Sequence, residues 1–164
     1  MGISFEFSLL RTPALMGIVN VAPNSFSDTG EHFKADAAMD HARSLANQGA
    51  QIIDVGAEAS SFFRPGVAPV PAEEQMNRLR PVLSVMKGVN NTFISIDTRS
   101  ALVARETISR GAHIINDISA GTYDEAMLDT VAKSGAAIIL MHTGSTFPDT
   151  PQSDDPDVLG TVYR

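Results

Sequence analysis

The stretch Leu15-Met-Gly-Ile-Val19, followed at once by Asn20-Val-Ala-Pro-Asn-Ser-Phe-Ser-Asp-Thr-Gly30, decides how the chain is read. A continuous apolar run of this kind fills a parallel strand shielded on both faces, and Asn20 is the first side chain beyond it that both donates and accepts hydrogen bonds. Pro23 and Gly30 bracket residues suited to neither helix nor strand, so a buried strand is expected to deliver a polar, ligand-binding loop. The same grammar recurs downstream. Ile52 to Val55 ends in Gly56-Ala-Glu58, Phe93 to Ile96 in Asp97, Ile114-Ile115 in Asn116-Asp117, and Ala136 to Met141 in His142. Five strands are therefore expected to bring polar groups to one rim.

Helical spacing fills the intervals. Asp36 is placed to cap a helix with Ala38, Ala42, Leu45 and Ala46 on one face, stopped by Gly49. Pro71 lies near the first turn of a second helix carrying Met76, Leu79, Leu83 and Met86, which Pro81 should kink. Ser100 can open a third, closed by Gly111, and Asp124 a fourth, closed by Gly135. Met39, Met76, Met86 and Met127 read as core. Such alternation implies parallel strands joined by helical crossovers, in either an open doubly wound sheet or a closed (β/α)8 barrel. No G-x-G-x-x-G or G-x-x-x-x-G-K-[ST] follows any of these strands, which removes the usual reason to choose a dinucleotide-binding or P-loop sheet.

Met16-Gly-Ile-Val-Asn-Val-Ala-Pro-Asn-Ser-Phe-Ser-Asp28 closely resembles the first strand and loop of dihydropteroate synthases, commonly M-G-I-x-N-x-T-P-D-S-F-S-D-G, with Ala22 and Asn24 in place of the usual Thr and Asp. Ser95-Ile-Asp-Thr98 is similar to the family's S-[IV]-D-T, Ile114-Ile-Asn-Asp-Ile118 to I-N-D-[IV], Arg64-Pro-Gly66 to R-P-G, and Met141-His-Thr-Gly144 to M-H-x-x-G. The resemblance runs from about Ala14 to the loop after His142. It implies an α/β fold of the (β/α)8 TIM-barrel type. A whole barrel takes roughly 200 to 250 residues, and these 164 residues hold about the first five β units, so residues 1–164 are expected to form one incomplete pterin-binding barrel domain.

The implied chemistry is displacement of pyrophosphate from a hydroxymethyl-dihydropterin diphosphate by the amine of p-aminobenzoate, giving dihydropteroate. On this resemblance Asp97 accepts pterin N–H bonds and stabilises positive charge developing at the pterin methylene, and Asn116 both donates and accepts along the pterin edge. Asp117 should alternate away from Asn116 and serve the turn instead. Asn20 is similar to the family residue associated with Mg2+ and the diphosphate; magnesium keeps much of its water and needs few protein ligands. Phe26 and Pro65 are placed to wall an apolar slot for the aromatic amine, Ser27 or Ser61 to meet its carboxylate, and Arg64 to pair with Asp28.

The family's G-[GA]-E-S-T-R-P-G is here Gly56-Ala-Glu-Ala-Ser-Ser-Phe-Phe-Arg-Pro-Gly66, three residues longer, which sets Phe62 and Phe63 beside the amine site, where they are expected to crowd sulfonamides. His142 sits on the expected rim within reach of ligand, although a lone histidine is more often structural. His32, His41 and His113 show no metal-ligand spacing with it. The family's later D-P-G-x-G-F, S-x-K and R-x-H segments do not occur before Arg164, so the chain alone is not expected to be a competent synthase. Two other readings remain open: a pterin-binding methyltransferase domain serving a corrinoid partner, and a non-catalytic half barrel.

Composition sets the remaining bounds. A hydrophobic content of 43% suffices for a sizeable core, and a net charge of −7 with scattered cations argues against a nucleic-acid surface. The chain has no cysteine, hence no disulfide framework or thiolate metal site, and its first residues lack the pattern of a signal peptide, so a cytoplasmic location away from membranes is expected. Open sheet edges should drive self-association.

Overall fold

A computed structural model describes residues 10, 12–21, 31–58, 68–86 and 92–142, with the backbone alone for 31–34. Among the described residues five strands alternate with four helices: β1 (Met16–Asn20), α1 (Glu31–Asn47), β2 (Ile52–Gly56), α2 (Ala72–Met86), β3 (Phe93–Asp97), α3 (Ala101–Ser109), β4 (Ile114–Asp117), α4 (Met127–Ser134) and β5 (Ala137–Leu140). All neighbouring strands pair in parallel. Their spatial order is β1-β2-β3-β4-β5.

This order separates the two architectures. A doubly wound sheet reverses direction at a switch point and distributes helices over both faces, whereas here the chain adds each strand beside the last. The helices lie on one face only. Val19, Ile53, Val55, Ile94, Ile96 and Ile115 pack with Ala38, Ala42, Met76, Leu79, Val103 and Met127 from α1 to α4 in one buried cluster. Because strand side chains alternate, the opposite parity forms a second, concave face. Sequential parallel strands with helices outside are the plan of a TIM-type barrel, of which four strand–helix units and a fifth strand are described.

Several local features follow the sequence closely. Ser100 caps α3 by accepting from Val103 N–H, and Gly111 (φ +108°) and Gly135 (φ +77°) supply left-handed turns after α3 and α4. Met39, Met76, Met86 and Met127 are buried. α1 begins at Glu31, so Asp36 lies inside the helix rather than at its cap. α2 continues through Pro81 to Met86. Asp124 differs most from expectation: α4 starts at Met127, and Asp124 divides its carboxylate between Ala126 N–H (3.1 Å) and Ala101 N–H at the start of α3 (2.8 Å). It serves two helix starts, because the turn before α4 sits against the first turn of α3.

Candidate functional site

Strand register builds the site. Asn20 aligns with Gly56, Gly56 with Asp97, and Asp97 with Asn116. Their neighbours of opposite parity, Val19, Val55, Ile96 and Ile115, face the helices. The four residues therefore form the uppermost row of the concave face, at the carboxyl ends of the strands, where barrel enzymes place their chemistry. Gly56 leaves the middle of this row without a side chain. A methyl group added there would stand 3.1 Å from Asn20 Oδ1 and 3.5 Å from Asp97 Oδ2, so the amide and the carboxylate converge over the glycine.

One strand position below lies a second polar pair, Asp54 and Ser95, aligned across β2 and β3 and buried. Asn116 Nδ2 donates to Asp54 Oδ2 at 3.2 Å. These residues belong to strands separated by β3, roughly 10 Å apart along a flat sheet, so the bond depends on side chains leaning together over the concave surface. It also fixes the Asn116 amide with its nitrogen toward a carboxylate. Asp54 Oδ1 and Ser95 Oγ are the buried side-chain polar atoms without a hydrogen-bond partner among the described residues. Burying such atoms unpaired is costly.

Electrostatics follow from this crowding. Burial pushes the Asp97 carboxyl up to about 7, helped by the charges of Asp54 and Glu58 and opposed by Arg99, with Asp117 adding a further small push upward. Burial raises Asp54 as well, partly offset by Ser95 and Asn116; of these two, only Asn116 makes a hydrogen bond of ordinary geometry. Two carboxyls on one concave face that resist ionising together suit a ligand bringing N–H donors or positive charge.

Asp117 shows the contrast. Its side chain turns to the other face, is fully buried, and accepts from Ser119 N–H (2.8 Å), Ser119 Oγ–H (2.6 Å) and Gly121 N–H (2.8 Å). It holds the turn after β4 and is turned away from the concave face, as its parity predicted.

The structure thus brings Asn20, Asp97 and Asn116 together. His142 stands exposed two residues beyond β5, with no hydrogen bond to a described residue. Phe26, Ser27, Asp28, Ser61, Arg64 and Pro65 lie outside the described residues. Asp54 and Ser95 were not anticipated, although the signal was present: each sits two residues before a rim position, Gly56 and Asp97, and so must share its face. Apolar neighbours on both sides concealed them within what read as uniform buried strands.

Among the described residues no group of three or more His, Cys, Asp or Glu side chains could hold a metal ion, and no helix is long and apolar enough to cross a membrane. Residues 16–163 match the family described as pterin binding enzyme. A dihydropteroate synthase of Streptococcus pyogenes serotype M1 is 42% identical over 137 residues, covering 84% of this chain and 50% of that protein. A dihydropteroate synthase from Clostridium difficile, crystallised in the presence of pteroic acid, superposes with a TM-score of 0.77 at 35% identity, covering 92% of this chain and 54% of that one. The enzyme from Anaplasma phagocytophilum with bound 6-hydroxymethylpterin-monophosphate gives 0.69 at 42% identity, over 79% of this chain and 48% of that one. The chain spans about half the length of these relatives.

Proposed function

Because this chain belongs to the pterin-binding enzyme family, we propose that it supplies the pterin-holding part of a dihydropteroate synthase. The observation that carries the proposal is the row Asn20, Gly56, Asp97, Asn116, backed by the buried and incompletely bonded Asp54 and Ser95. A pterin is flat and presents alternating donors and acceptors along one edge. The bare backbone at Gly56 gives a flat ring room to approach. Asp97 accepts ring N–H bonds, Asn116 offers the mixed polarity of an amide, and Asp54 keeps that amide oriented.

In the proposed reaction the amine nitrogen of p-aminobenzoate forms a bond to the pterin methylene while the methylene–oxygen bond to the diphosphate breaks. The pair of electrons leaves with pyrophosphate, and the new ammonium loses a proton to water. Positive charge grows at the methylene as the leaving group departs. An ionised Asp97 held in a partly desolvated row opposes that charge more strongly than it could in water.

This reading includes Mg2+, for which Asn20 offers a hard amide oxygen at the rim. One such ligand fits an ion that retains water and takes its remaining oxygens from substrate phosphates. When bound, the ion neutralises charge on the departing diphosphate. The sequence places Phe26, Ser27, Asp28, Ser61, Arg64 and Pro65 in the two loops assigned to the aromatic amine. The reading also places the protein in the cytoplasm.

The test is pyrophosphate release from hydroxymethyl-dihydropterin diphosphate by the protein that carries this chain, which should require p-aminobenzoate. Asp97→Asn should lower turnover by about two to three orders of magnitude, or ~3–4 kcal/mol of transition-state stabilisation, while leaving the fold intact. A near-normal rate in that variant overturns the role of Asp97.

A further inference from the structure

Beside the rim, a buried ion pair capped by a half-exposed aromatic ring ties the exits of three strands together. Glu58 follows β2 by two residues, Arg99 follows β3 by two, and Tyr123 lies in the connection from β4 to α4. Arg99 Nη2 and Glu58 Oε2 are 3.1 Å apart, with side chains only 6% and 10% exposed. The guanidinium also lies over the Tyr123 ring, 4.2 Å from its centre. The other Glu58 oxygen accepts from Val70 N–H at 2.7 Å.

A neutral connection runs parallel to the ionic one. Gln75 in α2 donates Nε2–H to the Val70 carbonyl (2.9 Å) and accepts from Thr98 Oγ1–H (3.0 Å), and the Thr98 hydroxyl oxygen accepts from Ser100 N–H (3.2 Å). Thr98 N–H in turn donates to the carbonyl of Asn116 (3.1 Å). The residues after β2 and those after β3 are therefore joined twice, once through Glu58–Arg99 and once through Val70–Gln75–Thr98.

Removing two charges from water is expensive, so a buried ion pair is weak evidence for added stability, and fixing one geometry is a role such pairs have in some proteins. The forked, planar guanidinium suits this task because it binds a carboxylate at its edge and an aromatic ring at its face simultaneously. What the geometry specifies here is the spacing of the rim, since Gly56, Asp97 and Asn116 immediately precede or adjoin the braced segments.

We propose that Arg99, clamped between Glu58 and Tyr123, is a positioning residue that holds the exits of β2, β3 and β4 in register beneath a pterin ring. The proposal rests on the reading of this row as a pterin slot for its ligand-binding consequence, but not for its mechanical one. Glu58 and Arg99 touch no reacting atom in this account. They act through Gly56, Asp97 and Asn116, whose separation sets whether the acceptor of Asp97 and the amide of Asn116 can meet one planar ring at the same time.

The experiment compares the unmodified protein with Arg99→Lys, Arg99→Ala and the double variant Glu58→Gln with Arg99→Gln, reading 6-hydroxymethylpterin monophosphate affinity and amide hydrogen exchange. Arg99→Ala should weaken binding about tenfold and speed exchange at Val70 and Thr98 by about tenfold, while Ala137 N–H, at the far end of β5, stays unchanged. The double variant cancels the charge change and should remain as impaired as Arg99→Ala; Arg99→Lys should recover only part of the loss. Recovery of affinity in the double variant would reduce Arg99 to a local charge and overturn the proposal. Unchanged exchange at Val70 and Thr98 in Arg99→Ala would overturn it also. If no variant and not even the unmodified protein binds the pterin, the slot assignment fails, and the exchange result alone decides whether the brace exists.

Discussion

Asp97 and Asp117 end adjacent parallel strands, yet their carboxylates live in opposite circumstances. Asp117 lies on the helix-facing side, fully buried, where it accepts from three donors of Ser119 and Gly121. Asp97 lies on the concave side, where burial, helped by the charges of Asp54 and Glu58, lifts it to about 7. One acid is spent on a turn that includes Ala120 in a left-handed conformation (φ 53°). The other is kept short of partners. Depth and hydrogen bonding together separate them: the fully buried acid holds a turn through three donors, and the partly buried one makes no hydrogen bond to a described residue and is available to a ligand.

Substituting the two acids should give opposite results, and this is the largest effect expected on stability. Asp117→Ala strands the donors of the turn and should cost about 2–4 kcal/mol, lowering the midpoint of thermal unfolding. Asp97→Asn should do the reverse. A carboxyl whose folded value is raised loses folding stability as pH climbs from its ordinary range through about 7, because the unfolded chain ionises first. Removing it should stabilise the unliganded protein by ~1–2 kcal/mol near pH 8, after allowance for solvent screening, and by nothing at pH 3. Thermal melts of both variants at these two pH values check the contrast; equal destabilisation by both would erase it.

Gly56→Ala sharpens the same comparison with a smaller effect. The added methyl meets Asn20 Oδ1 at 3.1 Å and Asp97 Oδ2 at 3.5 Å, a crowding the exposed Asn20 side chain relieves by a slight shift, and Gly56 is not among the glycines with positive φ. Folding should therefore be nearly unaffected while pterin affinity falls about tenfold, or ~1.4 kcal/mol. Calorimetric titration with 6-hydroxymethylpterin monophosphate reads this directly. An unchanged affinity would mean that the ring does not lie against Gly56.

Much of this was legible in the sequence because the signals were local. Apolar runs ending in Asn20, Gly56, Asp97 and Asn116 gave the strand exits, and Ser100, Gly111 and Gly135 marked helix ends through preferences that depend on the residue itself. Parity alone assigned Asp117 to the turn. The rest depended on distance in space. Asp54 reads as an interruption in an apolar strand until the register sets it beside Ser95 and beneath the row of Asp97. The Glu58–Arg99 pair joins positions 41 residues apart, and Asp124 reaches back 23 residues to Ala101. No periodicity encodes such pairings. They exist only because consecutive parallel strands bring their exits to one rim.

On the proposed reading, Asp97 is held short of partners that a pterin completes. Carboxyl-carbon NMR of Asp97 between pH 4 and pH 9, without and with 6-hydroxymethylpterin monophosphate, tests it most directly. The structure predicts a midpoint of about 7 in the free protein, and ring N–H bonds to the ionised form should lower it by at least about one unit when the pterin binds. A free-protein midpoint in the ordinary carboxylate range, or one that binding leaves in place, would contradict the account.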